Sequence, residues 1–185
     1  MKKIILASKS PRRKEILSLT GLPFDVLSKE TDETMDHTKD LKEEIKRVAL
    51  DKANVMKSEN NDAIIIGADT IVVLDNEILL KPLTIENSIN MLSKLSGKKH
   101  QVLTGVAVVY QEKVINWCEV STVKFLDLTQ KQIIEYANTK EPLDKAGAYG
   151  IQGKGALFVE SIIGDYYSIM GLPISKVNKV LIDLL

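Results

Sequence analysis

Along the chain the apolar positions alternate between short unbroken runs and three-and-four spacing, which predicts strands and helices in turn. Residues 3–7 read as a short buried strand. A helix follows over 11–20, with Ser10 as N-cap, Pro11 at the first helical position and Gly21 as the stop. Residues 24–28 predict a second strand. After the polar stretch 29–40, Leu41, Ile45, Val48, Ala49, Ala53 and Met56 share one face of a long helix. "AIIIGA" is apolar on both faces, as a central strand must be, and "TIVVLDNEILL" reads as a hairpin joined at Asp75-Asn76. Pro82 and Thr84 introduce a helix ending near Leu95. Residues 100–110 and 113–126 are β-type segments around a Gln111-Glu112 turn, and Thr129 with Gln132 forms a capping box for a helix to about Asn138. A Gly-rich polar loop then leads into the strand "LFVESII". Beyond Pro173 a last helix turns Ile174, Val177, Leu181 and Leu184 towards a core. This order predicts an α/β fold on a mixed sheet with hairpins, in a single domain over residues 1–185.

Charge changes the picture mainly by exclusion. Lysine plus arginine equals aspartate plus glutamate, 25 each, so no global field draws the chain to nucleic acid or a membrane. Anion recognition must come from local clustering. The single cysteine, Cys118, rules out an internal disulfide framework and fits a reducing compartment, and the short apolar run after Met1 is no signal peptide; the expected location is cytoplasmic. His37 and His100 lie far apart in sequence, which turns metal expectations from histidine-rich zinc towards a hard ion on carboxylates.

Four places carry candidate chemistry. In "LASKSPRRKEIL" a strand runs into a helix start, where free backbone N–H groups, Ser8, Ser10, Arg12 and Arg13 could cradle a phosphate; the same pattern fits a capped surface helix with solvated arginines. Asp69 emerges from "AIIIGADTIVV", placed to bind a hard metal or take a proton from water, or to cap a turn; Asp32-Glu33 in "TDET" is a second acidic pair in a polar stretch. Lys52, beside the apolar helix face, and Lys81, before Pro82, could each reach a phosphate or merely snorkel. The loop "EPLDKAGAYGIQGKGA" has glycines at 147, 150, 153 and 155, a density suited to backbone wrapped on a ligand, with Gln152 offering donor and acceptor.

Taken in order, "LASKSPRRKEIL", "TDET", "RVALDKA", "IIGADTIVV", "LLKP", "LSGKKHQVLTGVAVV", "EPLDKAGAYGIQGKGALFVESIIGDYY" and "GLPI" resemble the Maf family of nucleoside triphosphate pyrophosphatases, also called septum formation inhibitor proteins. The resemblance implies a mixed twisted sheet with flanking helices, two lobes around a central cleft, and kinship with inosine triphosphate pyrophosphatases. It implies cleavage between the α and β phosphates with Mg²⁺ or Mn²⁺, for nucleotide pool cleansing or division arrest. It makes Asp69 the general base and a metal ligand with Glu33, assigns the triphosphate to Ser8, Arg13, Lys52 and Lys81, and gives base selection to Arg12, Thr70 and Gln152. A homodimer is also implied. The loop version "DKAGAYGIQG" is that of the branch acting on dTTP and UTP, and an amide such as Gln152 suits the mixed edge of a pyrimidine. A 7-methyl-GTP pyrophosphatase and a nucleotide-binding regulator of septum formation without turnover are the alternatives. Leu80, Leu126 and Ser168 depart from the usual family pattern.

Overall fold

The computed structural model describes residues 2–36 and 38–185, so the reading of His37 lies outside the described residues. In chain order the elements are β1 (Lys3–Ala7), α1 (Pro11–Ser18), β2 (Asp25–Leu27), α2 (Leu41–Lys57), β3 (Ala63–Leu74), β4 (Glu77–Leu79), α3 (Ile85–Leu95), β5 (Lys99–Tyr110), β6 (Lys113–Phe125), α4 (Gln130–Asn138), β7 (Val159–Ile163), α5 (Tyr166–Met170) and α6 (Ile174–Leu184). The strands form one mixed sheet in the order β2-β1-β3-β5-β6-β7, with β4 on β3. By its contacts the chain divides into two compact units, Met1–Thr70 with Thr104–Glu119 and Gly171–Leu185, and Ile71–Leu103 with Val120–Met170.

In the first unit β1 lies parallel to both β2 and β3, with Ile5 opposite Asp25 and Ile65, and Ala7 opposite Gly67. Ile4, Ile5 and Leu6 are buried on both faces, which is why this strand reads as a run and not an alternation. The Ser10 side chain accepts the Arg13 N–H at 3.4 Å, as its N-cap position predicts. The helix closes two residues before residue 20, where Leu19 and Thr20 donate to carbonyls three residues back and Gly21 turns out at φ +69°. On α2 the predicted face is buried at Ile45, Val48, Ala49, Ala53 and Met56, while Leu41 is only half-buried at the first turn. Ala49, Ala53 and Met56 pack with Ile5, Ala7, Ala63, Ile65, Ala107 and Val109. Glycine makes this approach possible: a Cβ at Gly67 would lie 2.2 Å from the Ala49 carbonyl oxygen, and one at Gly105 would lie 2.3 Å from that of Ile45.

In the second unit β3 turns back into β4 through Asp75 and Asn76, at φ 50° and 66°, the left-handed pair a tight hairpin requires. Thr84 caps α3, and the Thr129–Gln132 capping box opens α4 as read from sequence. The core here is aromatic: Phe125 meets His100, Tyr149 and Phe158 edge to face, and Phe158 meets Tyr136. His100 is buried with Nε2 2.9 Å from the Tyr149 hydroxyl, and burial pushes its imidazole down to about 4. The unfolded imidazole titrates near ~6.5, so between these values the unfolded chain binds the extra proton and stability falls as pH falls. A shift from 6.5 to about 4 corresponds to roughly 3 kcal/mol. Urea unfolding at pH 6.5 and pH 4 is expected to show a loss of about that size in the parent protein that a His100→Asn variant lacks.

In the Gly-rich segment the close approaches that glycine permits are made to the protein's own residues. The segment is a chain of tight 3₁₀ turns at Glu141–Asp144, Ala146–Ala148 and Lys154–Phe158, with Gly147, Tyr149, Gly150, Ile151 and Gly155 buried. The open side of Gly153 faces the Glu141 carboxylate, and that of Gly155 faces the Gly150 backbone and the Tyr136 hydroxyl. A Cβ at Gly147 would meet Val72 of β3, so these glycines allow close packing both within the segment and against its neighbours. Leu157 and Phe158 belong to the last turn, and β7 begins only at Val159. Helix α5, with five residues, is too short to leave a periodic signature and was not predicted.

Candidate active site

The candidate residues of the first unit collect at the end of β1 and along β3, because the parallel register sets Ala7 beside Gly67 and brings Ser8 level with the residues leading to Asp69. Side chains alternate along a strand. Gly67 faces α2, so Asp69 faces α2 as well, and there the Lys52 ammonium meets it. Lys52 Nζ lies 2.7 Å from Asp69 Oδ1 and 2.8 Å from Glu33 Oε1. The Lys52 and Asp69 side chains are 12% and 15% exposed and that of Glu33 55%, so two partners are fixed by packing and the third reaches in from outside. Thr70, one residue on, takes the opposite face. Its hydroxyl accepts from Arg13 Nη2 at 3.1 Å and pairs with the Thr104 hydroxyl at 2.9 Å.

Arg13 is the organiser of that second group. It donates from Nε to the Gly171 carbonyl at 2.8 Å and from Nη1 to Ser8 Oγ at 3.2 Å, so three of its N–H groups are engaged by the protein. Ser8 Oγ also accepts the Ser10 amide at 3.2 Å. With two N–H donors on its lone pairs, what the buried Ser8 hydroxyl still offers is its proton, which suits an anionic oxygen. Burial lowers the Arg13 guanidinium from its ordinary value; Asp69 opposes that, Arg12 adds to it and Glu33 opposes it. Arg12 precedes it on the first turn of α1, half-buried. Lys81 and Gln152 belong to the second unit, both exposed, Lys81 before buried Pro82 and Gln152 in the turn between two of the 3₁₀ segments.

Sequence reasoning passed over two members of this arrangement, Thr104 and the Gly171 carbonyl. The signal was the motifs "LTG" and "GLP", in which Thr104 is a lone hydroxyl in an apolar strand and Gly171 sits at φ +115°. Cys118 takes no part: burial pushes its thiol up to about 11, away from thiolate chemistry. Among the described residues no three histidine, cysteine or acidic side chains gather into a metal-holding group, and no helix is long and apolar enough to cross a membrane. Two carboxylates converging on one cation are a donor set that fits Mg²⁺ or Mn²⁺ shared with phosphate oxygens, since these hard ions take one or two protein carboxylates at such sites.

A mixed-sheet α/β protein with paired carboxylates, a lysine between them and an arginine-anchored hydroxyl group defines a class suited to phosphate esters and anhydrides. The chain belongs to the Maf family, whose description is "Maf-like protein" and which matches residues 3–184. It is 48% identical over 181 residues to the dTTP/UTP pyrophosphatase of Bacillus cereus strain G9842, covering 98% of this chain and 95% of that protein. The dTTP/UTP pyrophosphatase of Bacillus anthracis is similar to the same degree, at 48% with the same coverage. Among solved structures, a HAM1 protein from Coxiella burnetii is 12% identical, with a TM-score of 0.49 over 99% of this chain and 100% of that one.

Proposed function

We propose that the protein hydrolyses dTTP and UTP to the nucleoside monophosphate and pyrophosphate, with a divalent cation, in the cytoplasm. The observation that carries this is the meeting of Glu33, Lys52 and Asp69 within 2.8 Å contacts, in a chain 48% identical to relatives named for that activity. Asp69, fixed on β3, orients a water molecule and takes its proton as the water oxygen attacks the α-phosphorus. The bond from the α-phosphorus to the bridging oxygen breaks, and that oxygen leaves on pyrophosphate with the electron pair. The Ser8 hydroxyl, Arg13 and Lys52 hold phosphate oxygens and offset the charge gathering on the leaving group. Glu33 and Asp69 would hold a Mg²⁺ or Mn²⁺ ion, which supplies further neutralisation of phosphate charge when bound. In the second unit, Lys81 is proposed as a further phosphate contact and Gln152 as the reader of the base, with Arg12 and Thr70 also bearing on base choice. The amide of Gln152 can both donate to and accept from a pyrimidine edge, whereas a carboxylate could only accept.

Pyrophosphate release measured across canonical and modified triphosphates tests this reading. Turnover of dTTP and UTP is expected with Mg²⁺ or Mn²⁺ and is expected to vanish on chelation. Cleavage of 7-methyl-GTP without dTTP overturns the base assignment. Tight nucleotide binding without any turnover overturns the enzyme reading in favour of a binding regulator.

A further inference from the structure

Glu33 presents a difficulty. Its carboxylate must hold a fixed place against Lys52, yet residues 29–36 form no helix or strand and Glu33 is mostly exposed. A site carboxylate on such a segment stays in place only if something anchors the backbone around it. The anchor is on α2, at Arg47, five residues before Lys52 at the start of the motif "RVALDKA". Arg47 donates from Nη2 to the Thr34 carbonyl at 2.6 Å, the residue next to Glu33, and from the same nitrogen to Glu44 Oε2 at 3.0 Å. Its Nη1 donates to Asp51 Oδ2 at 2.9 Å, which fixes the guanidinium plane against the helix. Glu44 Oε2 in turn accepts the Asp36 amide at 3.0 Å. A carbonyl and an amide two residues apart are thus tied to a single arginine–glutamate pair. Within the segment, Asp32 Oδ1 accepts the Thr34 amide at 2.9 Å and closes a local turn.

The setting of Glu44 is unusual for a surface helix. Its side chain is only 5% exposed while that of Arg47 is 40% exposed. Glutamates in the first turn of a helix are ordinarily solvated, and a carboxylate shielded from water is weak evidence for stability. Hydrogen bonds from Arg47 and from the Asp36 amide hold its carboxyl below the ordinary value, so it stays an acceptor. Lysine could not replace Arg47, because a point charge lacks the fork that reaches a carbonyl and two carboxylates at once.

We propose, resting on the reading of Glu33 as a site carboxylate, that Arg47 and Glu44 are positioning residues that set Glu33 against Lys52 and so are required for full turnover. Arg47→Met keeps the apolar stem and removes the fork. By comparison with residues that orient ligating groups elsewhere, it is expected to lower kcat/KM for dTTP by roughly ten- to a hundredfold. Placed on a Glu33→Ala background it is expected to add less than about twofold, because residues acting through one group are not additive. A structural role alone would instead give the same further loss on both backgrounds, and that result overturns the proposal. Glu44→Gln, which keeps an acceptor for the Asp36 amide, serves as the second variant should Arg47→Met fold poorly. It is expected to fall between Arg47→Met and the parent.

A readout independent of turnover is the NMR shift of the Lys52 side-chain ε-carbon. In Arg47→Met it is expected to move towards its position in Glu33→Ala. An unmoved signal overturns the positioning role whatever the activity. A signal that moves in a protein whose parent cleaves no triphosphate supports the positioning role and strikes only the proposed activity.

Discussion

Replacing Asp69 by asparagine is expected to lower the turnover of dTTP by about 10² to 10⁴ while leaving the fold in place, the range typical for losing a positioned general base. The two side chains have nearly the same shape, so the packing of β3 under α2 does not change. The amide oxygen can still accept from Lys52, now 2.7 Å from Asp69 Oδ1, and Glu33 remains at 2.8 Å on the other side of the ammonium. What is lost is the ability to take a proton from water and one of two negative charges facing the cation. Steady-state pyrophosphate release, with circular dichroism as the control for folding, checks the result. Near-normal turnover in a folded Asp69→Asn protein would sink the assignment of the base.

The second large effect is on packing and falls two residues earlier. In Gly67→Ala the new Cβ would stand 2.2 Å from the Ala49 carbonyl oxygen, 2.8 Å from the Ala53 nitrogen and 3.1 Å from the Ala53 Cβ. None of these is the end of a flexible side chain, so either the helix or the strand must move. Forcing a methyl group into a packed interior costs about 1–3 kcal/mol, and with backbone on the far side the expected loss lies at the upper end. The same movement carries Lys52 away from Asp69, since Lys52 adjoins Ala53 on the displaced turn. A displacement of about 1 Å at a reacting group can cost on the order of a hundredfold in rate, so activity is expected to fall with stability. Urea midpoints and kcat for Gly67→Ala can be compared with Gly21→Ala. At Gly21 the φ of +69° is strained for alanine, but nothing lies within 4 Å of the new atom. That variant is expected to lose some stability and keep its turnover; equal loss of turnover in both would refute the link between this packing and the site.

Much of the fold was legible because local rules and burial agreed. Residues 3–7, the α2 face, the Asp75-Asn76 hairpin and the Thr129 capping box stand in the structure as their patterns predict. What the patterns left open has physical causes. The glycines at 150, 153 and 155 signal close approach, and only the tertiary structure shows Glu141, Lys145 and Tyr136 among the groups that approach them. Helix α5 was too short for a period, and Leu157 and Phe158 took the last 3₁₀ turn although their composition suits a strand. Of the candidate residues, Asp69, Lys52 and Glu33 were all named from sequence, yet no spacing could show that one ammonium joins the two carboxylates. Arg47 and Glu44 carry no signal in the sequence, because an i, i+3 pair on a helix is commonplace.

By itself the sequence determined the order of strands and helices, the apolar faces, the caps and the chemical types available, since each of these depends on neighbours along the chain. The tertiary structure alone decided which of those groups meet. The parallel register of β1 and β3 sets Ala7 beside Gly67 and so brings Ser8 close to the stretch carrying Asp69, and strand alternation sends Asp69 to Lys52 and Thr70 to Arg13 on opposite faces. Contacts between residues 17, 57 and 60 positions apart follow from strand pairing and helix packing. Long-range geometry of that kind is fixed by the packed core and leaves no local trace for periodicity to report.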